Sequence, residues 1–149
     1  MLHTFFYLSE SRIDLSAESP EIIELVEQSR VRNAKRRISG ALIFTDRYFV
    51  QAIEGPADEI DALKNKIIAD PRHSQIVILA DGPTDKRQFG LWSLAYSGTD
   101  TLIDDKLAPA LAIAGNPERD RAIRSLKLLL TASVEQNGWV GPTIDTALD

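Results

Sequence analysis

The stretch ISGALIFTDRYFVQAIEGP, residues 38–56, decides the fold. Two apolar runs, residues 38–45 and 48–53, flank Asp46-Arg47, and that pattern predicts a β-hairpin although the turn lacks the glycine such turns favour. Gly55-Pro56 ends the second strand. Side chains alternate across a strand, so Phe49, Gln51 and Ile53 share one face. Gln51 is thereby set among apolar neighbours on a face expected to be buried, where its amide must find hydrogen-bond partners or destabilise the fold.

Downstream of the hairpin, Ile60, Leu63 and Ile67 recur at helical spacing over residues 57–69, with Asp58 and Glu59 in the first turn and Pro71 just past the end. Upstream, Ser19-Pro20 offers an N-cap and a first-turn proline to a helix lasting to about Asn33, whose apolar face is Ile22, Ile23, Leu25 and Val26. The aromatic run at residues 2–8 reads as a strand, with His3, Phe5 and Tyr7 on one face. Residues 74–79, with Ile76, Val77 and Ile78 in succession, read as a central strand covered on both faces. A fifth strand is expected over residues 89–96, where Trp92 and Leu94 share a face.

The resulting order, βαββαββ, predicts an α+β, ferredoxin-like fold: a mixed sheet with two helices on one face. Residues 107–114 and 117–133 read as further C-terminal helices. Ile123, Leu126 and Leu130 give the second an apolar stripe, expected to cover the open face of the sheet in part and to serve assembly in part. The chain thus divides into residues 1–98 and a C-terminal extension, 99–149.

With 149 residues, 44% of them hydrophobic and 26% charged, the chain matches an ordinary globular protein able to bury a core without staples. A net charge of −5 disfavours direct contact with nucleic acid or anionic membranes. The run Lys35, Arg36, Arg37 after Arg30 and Arg32 follows Glu21, Glu24 and Glu27 along one helix, which is the arrangement a helix macrodipole favours. No stretch approaches membrane-spanning length and no basic segment precedes the first apolar run, so the protein is expected to be cytoplasmic. There is no Gly-rich phosphate loop and no His-Glu-x-x-His, and the absence of cysteine excludes disulfides, thiolate metal sites and cysteine nucleophiles. What stands out is a set of polar residues on inward faces: Tyr7, Asn33 and Gln51. Singly, each has a structural explanation: Tyr7 as amphipathic core, Gln51 as an edge position, Asn33 as a left-handed helix cap. Together they fit one groove facing a planar polar ligand.

The segments FFYLSES, SRVRNAKRRISGALIF, YFVQAIEGP, ADPRHSQIVIL and QFGLWSLAY, in this order and at this spacing, resemble the BLUF domains, sensors of blue light using FAD. The resemblance covers roughly residues 1–97. It implies noncovalent binding of FAD, with FMN or riboflavin as alternatives, between the two helices of the sensory domain. Tyr7 matches the family's photoactive tyrosine, Gln51 its switching glutamine and Asn33 its flavin-contacting asparagine. Ser29, Lys66, Arg72 and His73 are also placed near the flavin and, with Arg32 and Phe49, complete the expected binding set. The sequence departs from the family where Lys66 replaces a common arginine, Arg32 a His or Asn, and Leu94 the methionine two residues after Trp92; Trp92 and Leu94 are the expected signalling pair.

The implied mechanism is a hydrogen-bond switch without a thiol adduct: Tyr7 gives up an electron and then a proton by way of Gln51, whose amide ends rotated or tautomerised. Output is expected through a homo-oligomer or a separate downstream protein. Two rival classes share the fold: a binding or assembly module without photochemistry, and an acylphosphatase-type enzyme, which lacks support because SESRIDLSAES follows the first strand in place of a glycine-rich phosphate loop.

Overall fold

Strand β1 (Leu2–Ser11) carries apolar side chains on both of its faces: Phe5 and Tyr7 point one way, Phe6 and Leu8 the other, and none is more than 4% exposed. Such a strand must lie inside a sheet with both faces covered. It pairs antiparallel with β3 (Tyr48–Pro56) on one side and β4 (His73–Thr84) on the other. β2 (Ser39–Phe44) pairs antiparallel with β3, and β5 (Ala95–Gly98) parallel with β2, giving the spatial order β4-β1-β3-β2-β5. This computed structural model describes residues 1–14, 16, 19–90, 94–98, 103–112, 115–137, 144, 146–147 and 149.

One face of the sheet is covered by α1 (Pro20–Lys35) and α2 (Ala57–Ala69). α1 starts where the sequence places it, with the Ser19 hydroxyl accepting from the Ile22 N–H. Ile60, Leu63 and Ile67 of α2 pack with Phe5, Tyr7, Ile38 and Ile53, while Ile22 and Leu25 of α1 pack on Phe44 and Phe49. The fold is the expected α+β one, with two helices on one face of a mixed sheet and helices after it.

The opposite face is closed by the C-terminal extension: a π-helical turn at Ile103–Leu107, α3 (Ala108–Ala112) and α4 (Arg119–Asn137). Ile103, Leu107, Leu111, Leu126 and Leu130 form one core with Phe6, Leu8, Ile43, Val50 and Ala52. The stripe of the last helix therefore covers the sheet. Its inner face is Ala122, Leu126 and Leu130, and Ile123 packs at the margin.

Several local readings change. β4 is an edge strand and not a central one: Ile76 packs on the helix side and Leu79 on the extension side, but Ile78 is 44% exposed. The apolar run serves both faces of one edge because side chains alternate along a strand; the register with β1 also shifts twice, and Gln75 adopts a left-handed backbone, φ 53°. The hairpin turn dispenses with glycine because Asp46 takes the positive φ, 76°, as aspartate does more readily than most residues. β3 runs to Pro56, past the expected end; at Gly55 a Cβ would lie 2.8 Å from the Arg37 carbonyl oxygen, which is why a side chain is excluded there. The fifth strand begins only at Ala95: Phe89 is buried ahead of it, Leu94 precedes it, and Trp92 lies outside the described residues.

Because α4 and the sheet share one core, Leu126→Ala should cost about 2–5 kcal/mol and shift a single unfolding transition. Urea melts followed by far-UV circular dichroism and by tryptophan fluorescence check this; a first transition seen by only one probe would mean that α4 melts independently.

Candidate functional site

Between α1, α2 and the sheet lies a groove of about 430 Å³, in the range of small-molecule and cofactor sites. Its apolar walls are Ile22, Leu25 and Val26 from α1, Phe44 and Phe49 from the hairpin, and Leu63 and Ile67 from α2. The residues singled out by sequence, Tyr7, Ser29, Arg32, Asn33, Phe49, Gln51, Lys66, Arg72, His73 and Leu94, all line it. Trp92 lies outside the described residues.

Tyr7 and Gln51 are directly opposed in the β1–β3 pairing, so the ladder itself sets their side chains within reach of each other. The Tyr7 hydroxyl donates to Gln51 Oε1 at 2.5 Å. The Tyr7 ring stacks on Phe5, centroids 5.4 Å apart, and meets the edge of His73 at 5.9 Å. Burial pushes the phenol pKa well above its ordinary value, the Asp70 charge raises it further, and Arg72 offsets part of this. Tyr7 therefore stays neutral and keeps its donor proton. Gln51 Nε2 has no protein partner among the described residues.

Asn33 is 3% exposed inside the last turns of α1 and is not a left-handed cap; that conformation belongs to Arg37, φ 58°. The Asn33 carbonyl accepts from the N–H groups of Arg36 and Ile38, at 3.1 and 2.9 Å, and the residue lines the groove wall. Ser29 Oγ donates to the Leu25 carbonyl at 2.9 Å and accepts from Arg32 Nη2 at 3.1 Å. Lys66, at the C-terminal end of α2, forms no ion pair among the described residues.

His73 has both ring nitrogens engaged by protein. Nε2 donates to the Ile67 carbonyl at 2.5 Å, which fixes the proton there, and Nδ1 is 2.7 Å from Ser9 Oγ. It presents its ring to the groove and uses its nitrogens to tie β1, β4 and α2 together. Arg72 grips Asp70 through Nε and Nη2, the latter at 2.6 Å from Oδ2. Asp70, Ser9 and Arg30 escape the sequence reading. Arg30 looks like one cation of a run that suits a helix dipole, yet its Nε donates to the Leu94 carbonyl at 2.8 Å and anchors that groove-lining residue to α1. Only Asp70 carries a sequence signal, as an acid two residues before an arginine in a turn.

The family model for BLUF, sensors of blue-light using FAD, matches residues 2–95. The chain belongs to the BLUF family. It is similar to the BLUF protein BlrB in its dark-state structure, with 32% identity, a TM-score of 0.64, and coverage of 89% of this chain and 96% of that one. Klebsiella pneumoniae BlrP1, solved with manganese and cyclic di-GMP, is 25% identical with a TM-score of 0.63; the match covers 87% of this chain and 33% of BlrP1. Photoactivated adenylate cyclase subunit beta of Euglena gracilis is 34% identical over 101 residues, 68% of this chain and 12% of that protein, so the chain spans a small part of this curated relative. No helix among the described residues is long and apolar enough to cross a membrane.

FAD is the flavin of BLUF domains, and the groove fits a flavin on its own terms. An apolar slot between two helices suits a planar ring, Gln51 and the buried Asn33 bring amide groups to its wall, and Lys66 and Arg32 bring positive charge.

The Asp70–Arg72 pair gives the groove a pH signature. The Arg72 hydrogen bond holds the Asp70 carboxyl below its ordinary value, so its stabilising contribution is present above the unfolded-state pKa and lost as pH falls through the folded one. Wild type should exceed Asp70→Asn in stability near neutrality, and the difference should close as pH falls through and below the ordinary carboxylate range. Urea midpoints of the two proteins across that range are the check; a pH-independent gap would assign the effect to packing.

Proposed function

We propose that this chain is a blue-light sensor in which residues 1–98 hold flavin noncovalently in the groove and Tyr7 and Gln51 form the switch, with residues 99–149 as the output extension. The observation that carries the reading is the 2.5 Å Tyr7–Gln51 hydrogen bond on the groove wall, beside an amide nitrogen with no protein partner among the described residues. When bound, the flavin supplies blue-light absorption and an acceptor for one electron.

The side chains supply the rest. Asn33 and Ser29 from α1 and Lys66 from α2 hold the polar parts of the ligand, while Phe49, Ile22 and Leu63 exclude water from its ring. The Tyr7 proton has a single short path, along the bond to Gln51 Oε1. A phenol both donates and accepts, so Tyr7 satisfies the Gln51 amide in either orientation: as donor to Oε1, or as acceptor from Nε2. The pair is therefore hydrogen-bonded on both sides of a flip, which makes two states accessible to one geometry. Reversing the amide exchanges the donor and acceptor that Gln51 presents to the groove, and a changed hydrogen bond at the flavin edge shifts its absorption slightly to the red.

Output passes by association, either with a second copy or with a downstream protein. The relatives named for adenylate cyclase and bound to cyclic di-GMP support an effector of nucleotide signalling as one class of partner. A visible spectrum of purified protein tests the reading first: a flavin band that reddens under blue light is expected, and a colourless protein would point instead to a binding or assembly module.

In Gln51→Leu the flavin should remain bound and the red shift should vanish, because leucine has similar bulk and neither donor nor acceptor. Difference absorbance under blue illumination decides this, and a normal red shift would remove Gln51 from the switch. Asn33→Ala should weaken flavin binding by about 1–3 kcal/mol, roughly fivefold to over a hundredfold in affinity, with little change in the spectrum of what stays bound. Titration of apoprotein with flavin measures it.

A further inference from the structure

The face of the hairpin turned away from the groove carries a second set of polar contacts. Glu54 follows Gln51 on β3 by three residues, so its side chain lies on the other side of the sheet, where it is 1% exposed. A carboxylate this deep is costly unless its oxygens are hydrogen-bonded. Glu54 meets that condition: Oε1 accepts from Ser39 Oγ at 2.9 Å and from the Phe89 N–H at 2.7 Å, and Oε2 accepts from the Gln88 N–H at 2.8 Å. Arg87 extends the network. Its Nη1 donates to Ser39 Oγ at 3.0 Å, and its Nε and Nη2 donate to the Asp149 carboxylate at 2.6 and 2.8 Å.

The open end of the β2–β3 hairpin is thus fastened to residues 87–89 and, through Arg87, to Asp149 of the C-terminal extension. Its turn is fastened to the extension too. Thr45, 2% exposed, accepts from the Tyr48 N–H at 3.1 Å and donates to Asp104 of the π-helical turn at 2.6 Å. Between these ties Val50 and Ala52, the two neighbours of Gln51, pack in one core with Leu126 and Leu130 of α4. Leu94 leads elsewhere, since its carbonyl is held by Arg30 of α1 and returns to the groove wall.

We propose that the β2–β3 hairpin transmits the state of Gln51 to α4, with Glu54 and Arg87 as the positioning residues at one end and Thr45 with Asp104 at the other. The proposal rests on the photosensor reading. A change of hydrogen bonding at Gln51 shifts β3 within a ladder whose two ends are both tied by side-chain hydrogen bonds; the displacement is passed to the helix packed beneath. Neither tie touches the groove, so weakening them separates output from photochemistry.

The experiment is amide hydrogen exchange of the flavin-loaded full chain, dark and under blue light, read by mass spectrometry over residues 119–137 and accompanied by absorbance. Glu54→Gln sets an amide NH₂ against the N–H donors of Gln88 and Phe89; Thr45→Val removes the bond to Asp104 at nearly constant shape and serves should Glu54→Gln fail to fold. Wild type should show the red shift together with a light-dependent change in α4 exchange. A folded variant should keep a red shift of the same size and lose the α4 change. A red shift with an undiminished α4 change in folded variants, or with none in wild type, overturns the hairpin route. Bound flavin with no red shift in wild type overturns the photosensor reading itself, and the route with it.

Discussion

Burial of β1 on both faces is the constraint on which the rest of this molecule depends. Phe5 and Tyr7 require cover from α1 and α2, and Phe6 and Leu8 require it from the C-terminal extension. A sheet with one wet face would leave Phe6, Leu8, Ile43 and Val50 in water, and at about 1.5–3 kcal/mol for each large apolar side chain this is not tolerable in a marginally stable domain. The extension is consequently part of the fold. One layer of backbone separates the cofactor groove from the core that α4 completes, and strands with a two-residue period deliver alternate residues to each.

The same alternation explains how a polar switch is housed in an apolar interior. Tyr7 and Gln51 are cross-strand partners, so their bond is formed by the sheet and needs no loop to hold it. His73 braces the Tyr7 ring while its own nitrogens are committed to Ile67 and Ser9. With its neighbours fixed in this way, the amide of Gln51 is the group in the constellation that can reorient without unmaking a strand or a helix.

Much of this was legible in the sequence because period and punctuation agree. The hairpin around Asp46, the helix from Ala57 to Ala69 and the shared face of Phe49 and Gln51 follow from residue spacing, and the ordered segments brought Tyr7, Asn33 and Gln51 to one groove. The rest was hidden for physical reasons. A run such as Ile76 to Leu79 reads alike in a central strand and in an edge strand, because alternation sends its residues to both faces in either case and the missing neighbour leaves no mark in the sequence. Arg37 in the left-handed region has no sequence mark, and Asn33 drew that role by type. Glu54 looks like a solvated acid until the chain brings the N–H groups of Gln88 and Phe89 to it from 34 and 35 residues away.

The position of β4 has a consequence for how the protein behaves in concentrated solution. An edge strand offers unpaired backbone groups to any neighbour, and a segment of six or seven residues suffices for intermolecular β-stacking. Here the left-handed Gln75 interrupts the edge near its start, Asp81 puts a charge on it, and Pro83 has no N–H to donate. Between them the apolar run Ile76 to Ala80 is itself broken by the register shift opposite Phe6 and Tyr7 and is too short to seed a fibril, so the longest strand of the sheet is kept from acting as a nucleus for aggregation.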